Sequence, residues 1–82
     1  MTRDRVFENL NKIFRDVFDD DDILLSEHTS AADIDDWDSL EQINLVVAIQ
    51  DLFRVKFNID EVNSIKNVGE MVDFILKKLE EQ

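Results

Sequence analysis

The residue with the clearest chemical potential is Ser39, which lies in the segment Asp36-Trp37-Asp38-Ser39-Leu40. An acidic stretch precedes this segment, and a strongly apolar helical pattern follows it. A serine at the start of a helix lies beside backbone N–H groups that have no acceptor within the helix, and beside the positive end of the helix dipole. An anionic group bonded to the serine oxygen would be stabilised there. The position therefore favours a serine that carries a phosphate-linked group.

The sequence offers no partner that would make Ser39 a catalytic nucleophile. A serine hydrolase needs a base within hydrogen-bond reach and an oxyanion hole. The only histidine, His28, lies in the acidic stretch, where we expect it to be solvated. The chain has neither a Gly-x-Ser-x-Gly motif nor a glycine-rich phosphate loop. Carboxylates are abundant, but an acid–base pair needs a cleft that separates its two pKa values, which a small bundle rarely offers. We predict that the protein is not an enzyme.

The aspartates also raise the question of a calcium site. An EF-hand loop needs oxygen ligands at its first, third and fifth positions, glycine at the sixth and glutamate at the twelfth. A loop starting at Asp16 has Phe18 at the third position, and a loop starting at Asp33 has Trp37 at the fifth. Both registers fail, so no specific metal site is predicted. Weak, non-specific binding of divalent cations to the acidic stretch stays open.

Two long amphipathic helices are predicted in the first part of the chain. Apolar residues at three- and four-residue steps indicate a first helix from about Arg3 to Phe18. A second helix is predicted to open at Asp38 or Ser39 and to run to about Arg54. Asp38 and Glu41 have the spacing of a capping box at its start. Its apolar stripe, broader than one partner helix requires, comprises Leu40, Ile43, Val46, Val47, Ile49, Gln50 and Phe53.

Two further helices complete the prediction. A short third helix is expected from Asp60 to about Ile65, with Asp60 as its cap, and a last helix begins at Asn67-Val68-Gly69-Glu70. The long connection after the first helix shows no sustained period, and we expect Ile34 and Trp37 to anchor it in the core. The predicted fold is all-α, a small four-helix bundle of three main helices and one short helix, in which residues 1–82 form a single domain.

Charge and composition narrow the function classes. The 82 residues carry a net charge of −11, which would repel nucleic-acid phosphates and anionic membrane surfaces and favours basic protein partners. The absence of cysteine excludes a disulfide framework and a thiolate metal site. The longest apolar run, Leu45–Ile49, is far shorter than a membrane span, and no signal peptide is evident. We expect a monomer in the cytoplasm.

Over nearly its whole length the chain resembles the acyl carrier protein family, which includes the peptidyl carrier domains. The resemblance is centred on Asp38-Ser39-Leu40, which matches the Asp-Ser-Leu at which the family attaches 4′-phosphopantetheine. It continues through the helix that ends at Phe53 and through Phe57-Asn58-Ile59-Asp60-Glu61. Ile65-Lys66-Asn67-Val68-Gly69-Glu70-Met71 is similar to the family's turn into its last helix.

The resemblance implies a mechanism. A phosphopantetheinyl transferase would transfer the phosphopantetheine of coenzyme A to Ser39, with Asp38 and Leu40 beside the attachment point. The thiol of the arm would hold an acyl or aminoacyl group as a thioester, loaded by a ligase and passed to synthases or transferases with basic docking surfaces. The pathway could be fatty acid, polyketide, nonribosomal peptide or another dedicated biosynthesis. The implied docking residues are Asp38, Glu41, Val47 and Asp51.

The sequence departs from fatty-acid carriers at three points, which bear on the pathway that the protein serves. Asp36-Trp37 precede Asp-Ser, where many of those carriers have glycine and an aliphatic residue. The proline common after the second helix is absent, and that helix is less acidic, with neutral Asn44 and Gln50. The first departure is typical of dedicated and peptide-synthetase-like carriers. An acidic helical adaptor without a covalent cofactor, in which Ser39 only begins a helix, is the alternative hypothesis.

Overall fold

The part of the chain that the structure describes forms four α-helices and matches the predicted all-α bundle of three main helices and one short helix. The computed structural model describes residues 1–81. Within that part of the chain, the helices are α1 (Arg3–Val17), α2 (Ser39–Phe53), α3 (Ile59–Ser64) and α4 (Val68–Glu80). A short 3₁₀ turn at Ala31–Asp33, which the sequence pattern did not predict, interrupts the loop between α1 and α2.

The core is one apolar cluster between the three longer helices. Helix α1 contacts both α2 and α4, whereas α3 contacts chiefly α2. The predicted α1 stripe is largely confirmed, because Val6, Leu10 and Phe14 are fully buried. Helix α2 contributes Leu45, Val46, Ile49 and Phe53 to the buried set, and α4 contributes Val68, Met71, Val72 and Ile75. No residue of α3 is buried, so this short helix lies on the surface of the bundle.

Only part of the predicted α2 stripe belongs to the core. Leu40, Ile43 and Val47 are between 50% and 66% exposed, so this part of the broad stripe faces solvent. Leu45, which the prediction left out, is fully buried instead. Helix α2 is apolar around much of its circumference, so the spacing of its residues did not identify the side that faces α1.

The loop from Phe18 to Asp38 is held by buried side chains and by backbone hydrogen bonds. Trp37 is 9% exposed and Leu25 is 7% exposed, whereas Ile34 is only half-buried. The prediction of Trp37 as an anchor is confirmed, and Leu25 is a second anchor that the sequence pattern did not reveal. Asn11 accepts a 2.8 Å hydrogen bond from the Leu25 N–H, which fixes this anchor to α1.

The start of α4 matches its prediction, and the start of α3 does not. Asn67 caps α4 by accepting the Glu70 N–H. Helix α3 begins one residue earlier than predicted, with Asn58 rather than Asp60 as its cap. Asn58 forms a complete capping box with Glu61, whose carboxylate accepts the Asn58 N–H at 2.9 Å. This reciprocal pair satisfies two backbone donors, which a cap at Asp60 would leave open.

Candidate functional site at the start of helix α2

Ser39 is the first residue of α2 and is exposed to solvent. Asp38 precedes it in an extended conformation, and its Oδ1 accepts the Glu41 N–H at 2.9 Å. The predicted capping box is only half formed, because the Glu41 carboxylate accepts a 2.7 Å hydrogen bond from Asn44 instead. In the first turn of an α-helix, the N–H groups that no cap takes have no acceptor within the helix. The Ser39 oxygen therefore lies where an attached anion would be stabilised.

Trp37 connects this helix start to the core. Its ring meets Phe14 edge-on at 5.1 Å between centroids, and lies 6.5 Å from Phe18. Its indole N–H donates a 2.6 Å hydrogen bond to the side-chain oxygen of Gln42, one turn into α2. A buried indole needs such a partner for its N–H. The Trp37 side chain thus fixes the segment before Ser39 against both α1 and α2.

A cleft of about 310 Å³ lies between α2 and α3 and includes Ser39 in its lining. Ile43 contributes to its α2 side, and Ile59 and Val62 contribute to its α3 side. Trp37 and Gln42 also line it. The cleft combines an apolar lining with a few polar side chains, which is typical of small-ligand sites. It offers space beside the Ser39 hydroxyl for a group attached there.

A larger groove lies between the end of α3 and α4, away from Ser39. Its volume is about 510 Å³, and its lining comprises Ser64, Lys66, Glu70, Asp73, Phe74 and Lys77. The groove contains a serine, but Ser64 ends α3 and donates its hydroxyl to the Glu61 carbonyl at 2.9 Å. It therefore lacks the helix-start environment of Ser39.

The residues expected to dock partners all lie on or beside the surface of α2. Asp38 and Asp51 are exposed, Glu41 is partly exposed and Val47 is 50% exposed. The structure adds Leu40, Ile43 and, from α3, Ile59 as exposed apolar side chains. We call the set Leu40, Ile43, Val47 and Ile59 the apolar face. The breadth of the apolar stripe on α2, greater than one partner helix requires, was the signal for this face in the sequence.

Helix α3, which forms one side of the cleft, is held to α4 by an ion pair. The Lys78 ammonium lies 2.9 Å from the Glu61 carboxylate and 5.1 Å from the centre of the Phe57 ring. The hydrogen bond from the Asn58 N–H, followed by that from Lys78, lowers the pKa of the Glu61 carboxyl. Glu61 therefore stays ionised into mildly acidic solution and keeps α3 in place.

The remaining chemical candidates lie apart from this site. His28 is exposed and is not among the residues that line the cleft at Ser39. Among residues 1–81, no group of three or more histidine or acidic side chains is arranged to hold a metal ion. In the same part of the chain, no helix has the length and apolarity to span a membrane.

Comparison with known proteins places this architecture among named relatives. An acyl carrier protein from Petrotoga mobilis is 33% identical over 79 residues, which cover 96% of this chain and 93% of the relative. An acyl carrier protein from Lactobacillus acidophilus is 27% identical, with coverages of 92% and 94%. The solution NMR structure of a holo acyl carrier protein from Geobacter metallireducens superimposes with a TM-score of 0.86 at 47% identity, covering 92% of this chain and 86% of that one. A scan against models of protein families found no match.

The four-helix bundle and these relatives place the protein in the class of small helical carrier proteins, which bear groups for other proteins to act upon. Within that class, the chain belongs to the acyl carrier protein family. The resemblance read from the sequence is therefore confirmed at the level of the family and of the fold.

Proposed function

We propose that Ser39 carries a 4′-phosphopantetheine arm through which the protein presents acyl or aminoacyl groups to biosynthetic enzymes. The observation that carries the proposal is the exposed Ser39 hydroxyl at the first position of α2. The similar protein from Geobacter metallireducens is described as a holo acyl carrier protein, which supports a covalently modified form here. When bound, the arm supplies a terminal thiol for thioester attachment, which the cysteine-free chain lacks.

The residues around Ser39 fit such an arm. Its phosphate would lie at the amino end of α2, where helix N–H groups and the helix dipole favour an anion. Asp38 already caps the Glu41 N–H, so the helix start does not depend on the Ser39 hydroxyl. The cleft between α2 and α3 gives the arm a partly apolar surface beside its attachment point. Leu40, 66% exposed, stays available to the modifying enzyme.

Attachment requires a separate phosphopantetheinyl transferase. The Ser39 oxygen forms a new bond to the phosphorus that bears pantetheine in coenzyme A. The bond from that phosphorus to the rest of the diphosphate breaks, and 3′,5′-adenosine diphosphate leaves. The hydroxyl proton passes to a base on the transferase, because His28 does not line the cleft at Ser39. The carrier supplies the nucleophilic oxygen and its position, and the transferase supplies the catalysis.

The surface beside Ser39 supports docking by enzymes with basic rims and apolar centres. Asp38, Glu41 and Asp51 would contribute charge, and Val47 would contribute apolar contact, together with the rest of the apolar face. Charge complementarity mainly raises the rate and orientation of encounter, whereas buried apolar contacts hold a complex together. The face suits brief, repeated association with several enzymes.

Intact mass before and after treatment with coenzyme A and a broad-specificity phosphopantetheinyl transferase tests the proposal. The wild type should gain the mass of one phosphopantetheine, and Ser39→Ala should gain none. Ser64→Ala, at the other exposed helix-end serine, is the matched control and should load like the wild type. Circular dichroism should show that all three proteins are folded. An unmodified wild type, or loading that survives in Ser39→Ala, would favour the acidic adaptor or another attachment site.

A further inference from the structure

The cleft beside Ser39 ends towards the protein interior at a hydrogen-bonded pair of side chains. The Trp37 indole N–H donates to the Gln42 side-chain oxygen at 2.6 Å, and both residues line the cleft. The Gln42 amide nitrogen lies 3.4 Å from the Val62 carbonyl oxygen of α3. Gln42 therefore connects the segment before Ser39, helix α2 and helix α3 at a single point.

Behind Trp37 lies the core rather than open space. The Trp37 ring packs edge-on against Phe14, which is fully buried, and Trp37 itself is 9% exposed. Leu45 and Ile49, on the inner side of α2, are also fully buried. Of the residues that line the cleft, only Trp37 is buried, so an alkyl chain that passed inward beside it would have to move the indole. That movement would break its hydrogen bond to Gln42 and leave a buried N–H without a partner, which is unfavourable.

The space outside this pair is small and partly polar. Its volume of about 310 Å³ lies at the lower end of the range for sites that hold small ligands. Ile43, Ile59 and Val62 give it apolar walls, whereas Gln42 and Asn63 add amide groups that can form hydrogen bonds. A space of this size can shelter a short acyl or aminoacyl group at the end of the arm, whereas most of a long alkyl chain would extend beyond it.

We propose that the Trp37–Gln42 pair closes the cleft to the core and thereby limits sheltered cargo to short acyl or aminoacyl groups. This inference rests on the proposed attachment of the arm at Ser39. A long alkyl chain on the arm stays in solvent, because the route inward is blocked. Gln42 acts here by positioning Trp37 and α3, and it takes no part in any chemical step.

The test compares acetyl and decanoyl cargo on the same protein. A broad-specificity transferase loads each acyl-phosphopantetheine from its coenzyme A thioester, and intact mass verifies loading at Ser39. Hydroxylamine then cleaves the thioester. The protection factor is the cleavage rate of the same acyl-pantetheine free in solution divided by the cleavage rate on the protein. Trp37 is the only tryptophan, so its indole N–H gives a single, assignable NMR signal that reports entry of cargo.

In the wild type, we expect the acetyl protection factor to exceed the decanoyl protection factor by about twofold or more, because protection reflects the population of sheltered cargo. The decanoyl group should also leave the indole signal where it lies in the unacylated arm-bearing protein. In Gln42→Ala, the released indole and the vacated space should let the decanoyl group enter. Its protection should then rise by about fivefold or more, and the indole signal should move.

Two further variants keep the test decisive. Trp37→Phe keeps an aromatic ring and removes the N–H, so decanoyl protection should rise there as well, even if Gln42→Ala folds poorly. Gln50→Ala is the matched control, since Gln50 lies on α2 but outside the cleft lining, where it accepts the Phe57 N–H at 2.8 Å. Gln50→Ala should leave the decanoyl protection factor as low as it is in the wild type.

A wild type that protects decanoyl as well as acetyl, or better, would overturn the proposal, as would unchanged decanoyl exposure in both Gln42→Ala and Trp37→Phe. A wild type that accepts neither acyl-phosphopantetheine would overturn the attachment at Ser39 and the cargo limit with it. Intact mass separates that result from the other two.

Discussion

Replacing Gly69 with alanine tests how the long loop between α1 and α2 is fixed beside the site. Gly69 is the second residue of α4, and its N–H donates a 3.0 Å hydrogen bond to the Glu27 carbonyl in the loop. The neighbouring Val68 N–H donates to the Thr29 carbonyl at 2.8 Å. Loop carbonyls thus satisfy donors at the helix start that have no acceptor within the helix.

A side chain at position 69 would collide with the same loop. A Cβ atom there would lie 2.8 Å from the Glu27 backbone oxygen and 2.8 Å from its Oε1, where ordinary contacts begin at 3.4 Å. The carboxylate can rotate away, but the backbone oxygen can retreat only if the loop moves and the Gly69 hydrogen bond lengthens. Crowding destabilises the folded protein by about 1–3 kcal/mol, and the weakened hydrogen bond by about 1 kcal/mol. The better helix propensity of alanine offsets at most about 1 kcal/mol of this loss.

We therefore expect Gly69→Ala to lower the free energy of unfolding by about 1–3 kcal/mol, and Tm by about 5–20 °C for a domain of this size. Urea unfolding and thermal circular dichroism measure both quantities. Adding Glu27→Ala to Gly69→Ala removes the carboxylate but not the backbone oxygen, so the double variant should remain destabilised relative to Glu27→Ala alone. A Gly69→Ala protein as stable as the wild type would refute this account of how the loop is held.

Three further predictions concern charge. Glu41→Lys should slow transferase loading more than Glu8→Lys on α1, and this difference in rate should shrink as salt screens the attraction. Equal slowing by the two variants would mean that net charge alone steers the partner. Added salt, and divalent cations more strongly, should raise Tm, because the net charge of −11 disfavours the compact state; a flat Tm would contradict this view. Glu61 has a lowered pKa when folded, so its contribution to stability is present above about pH 4.3 and is lost as acid protonates it. Glu61→Gln should therefore flatten the stability profile below about pH 5, as urea unfolding at several pH values would show, and an unchanged profile would exclude that role.

The parts of the site that follow from local chemistry could be predicted from the sequence. Asp38 and Asn67 each cap a helix by accepting an N–H three residues later, and that spacing is visible in the chain. Trp37 was expected in the core because it is the largest apolar residue of an otherwise acidic stretch, and it is buried there. The two caps depend on residues within one helical turn of each other, and the burial of Trp37 depends on the size of its side chain, so all three could be predicted without knowledge of the tertiary structure.

The features that depend on tertiary neighbours could not be predicted in the same way. The Asn58–Glu61 spacing of the α3 capping box was visible in the chain, but the ion pair that holds Glu61 to Lys78 of α4 joins residues 17 apart and was not. The bond from Trp37 to Gln42 joins residues five apart, and nothing in their types distinguishes it from other pairs on α2. Both pairs become apparent only once the helices have packed together.

The exposed apolar residues of α2 connect the fold to its proposed function. A helix that packs on one side and is solvated on the other normally shows one apolar stripe. Helix α2 instead buries Leu45 and Ile49 against the bundle while it exposes Ile43 and Val47. Exposed apolar side chains gathered on one surface mark a place where another molecule binds. The same surplus that obscured the core in the sequence therefore marks the face, beginning beside Ser39, on which we expect partner enzymes to dock. Asp38, Glu41 and Asp51 lie on or beside the same helix, so apolar burial should hold a docked partner, whereas these charges should act on the rate and orientation of encounter.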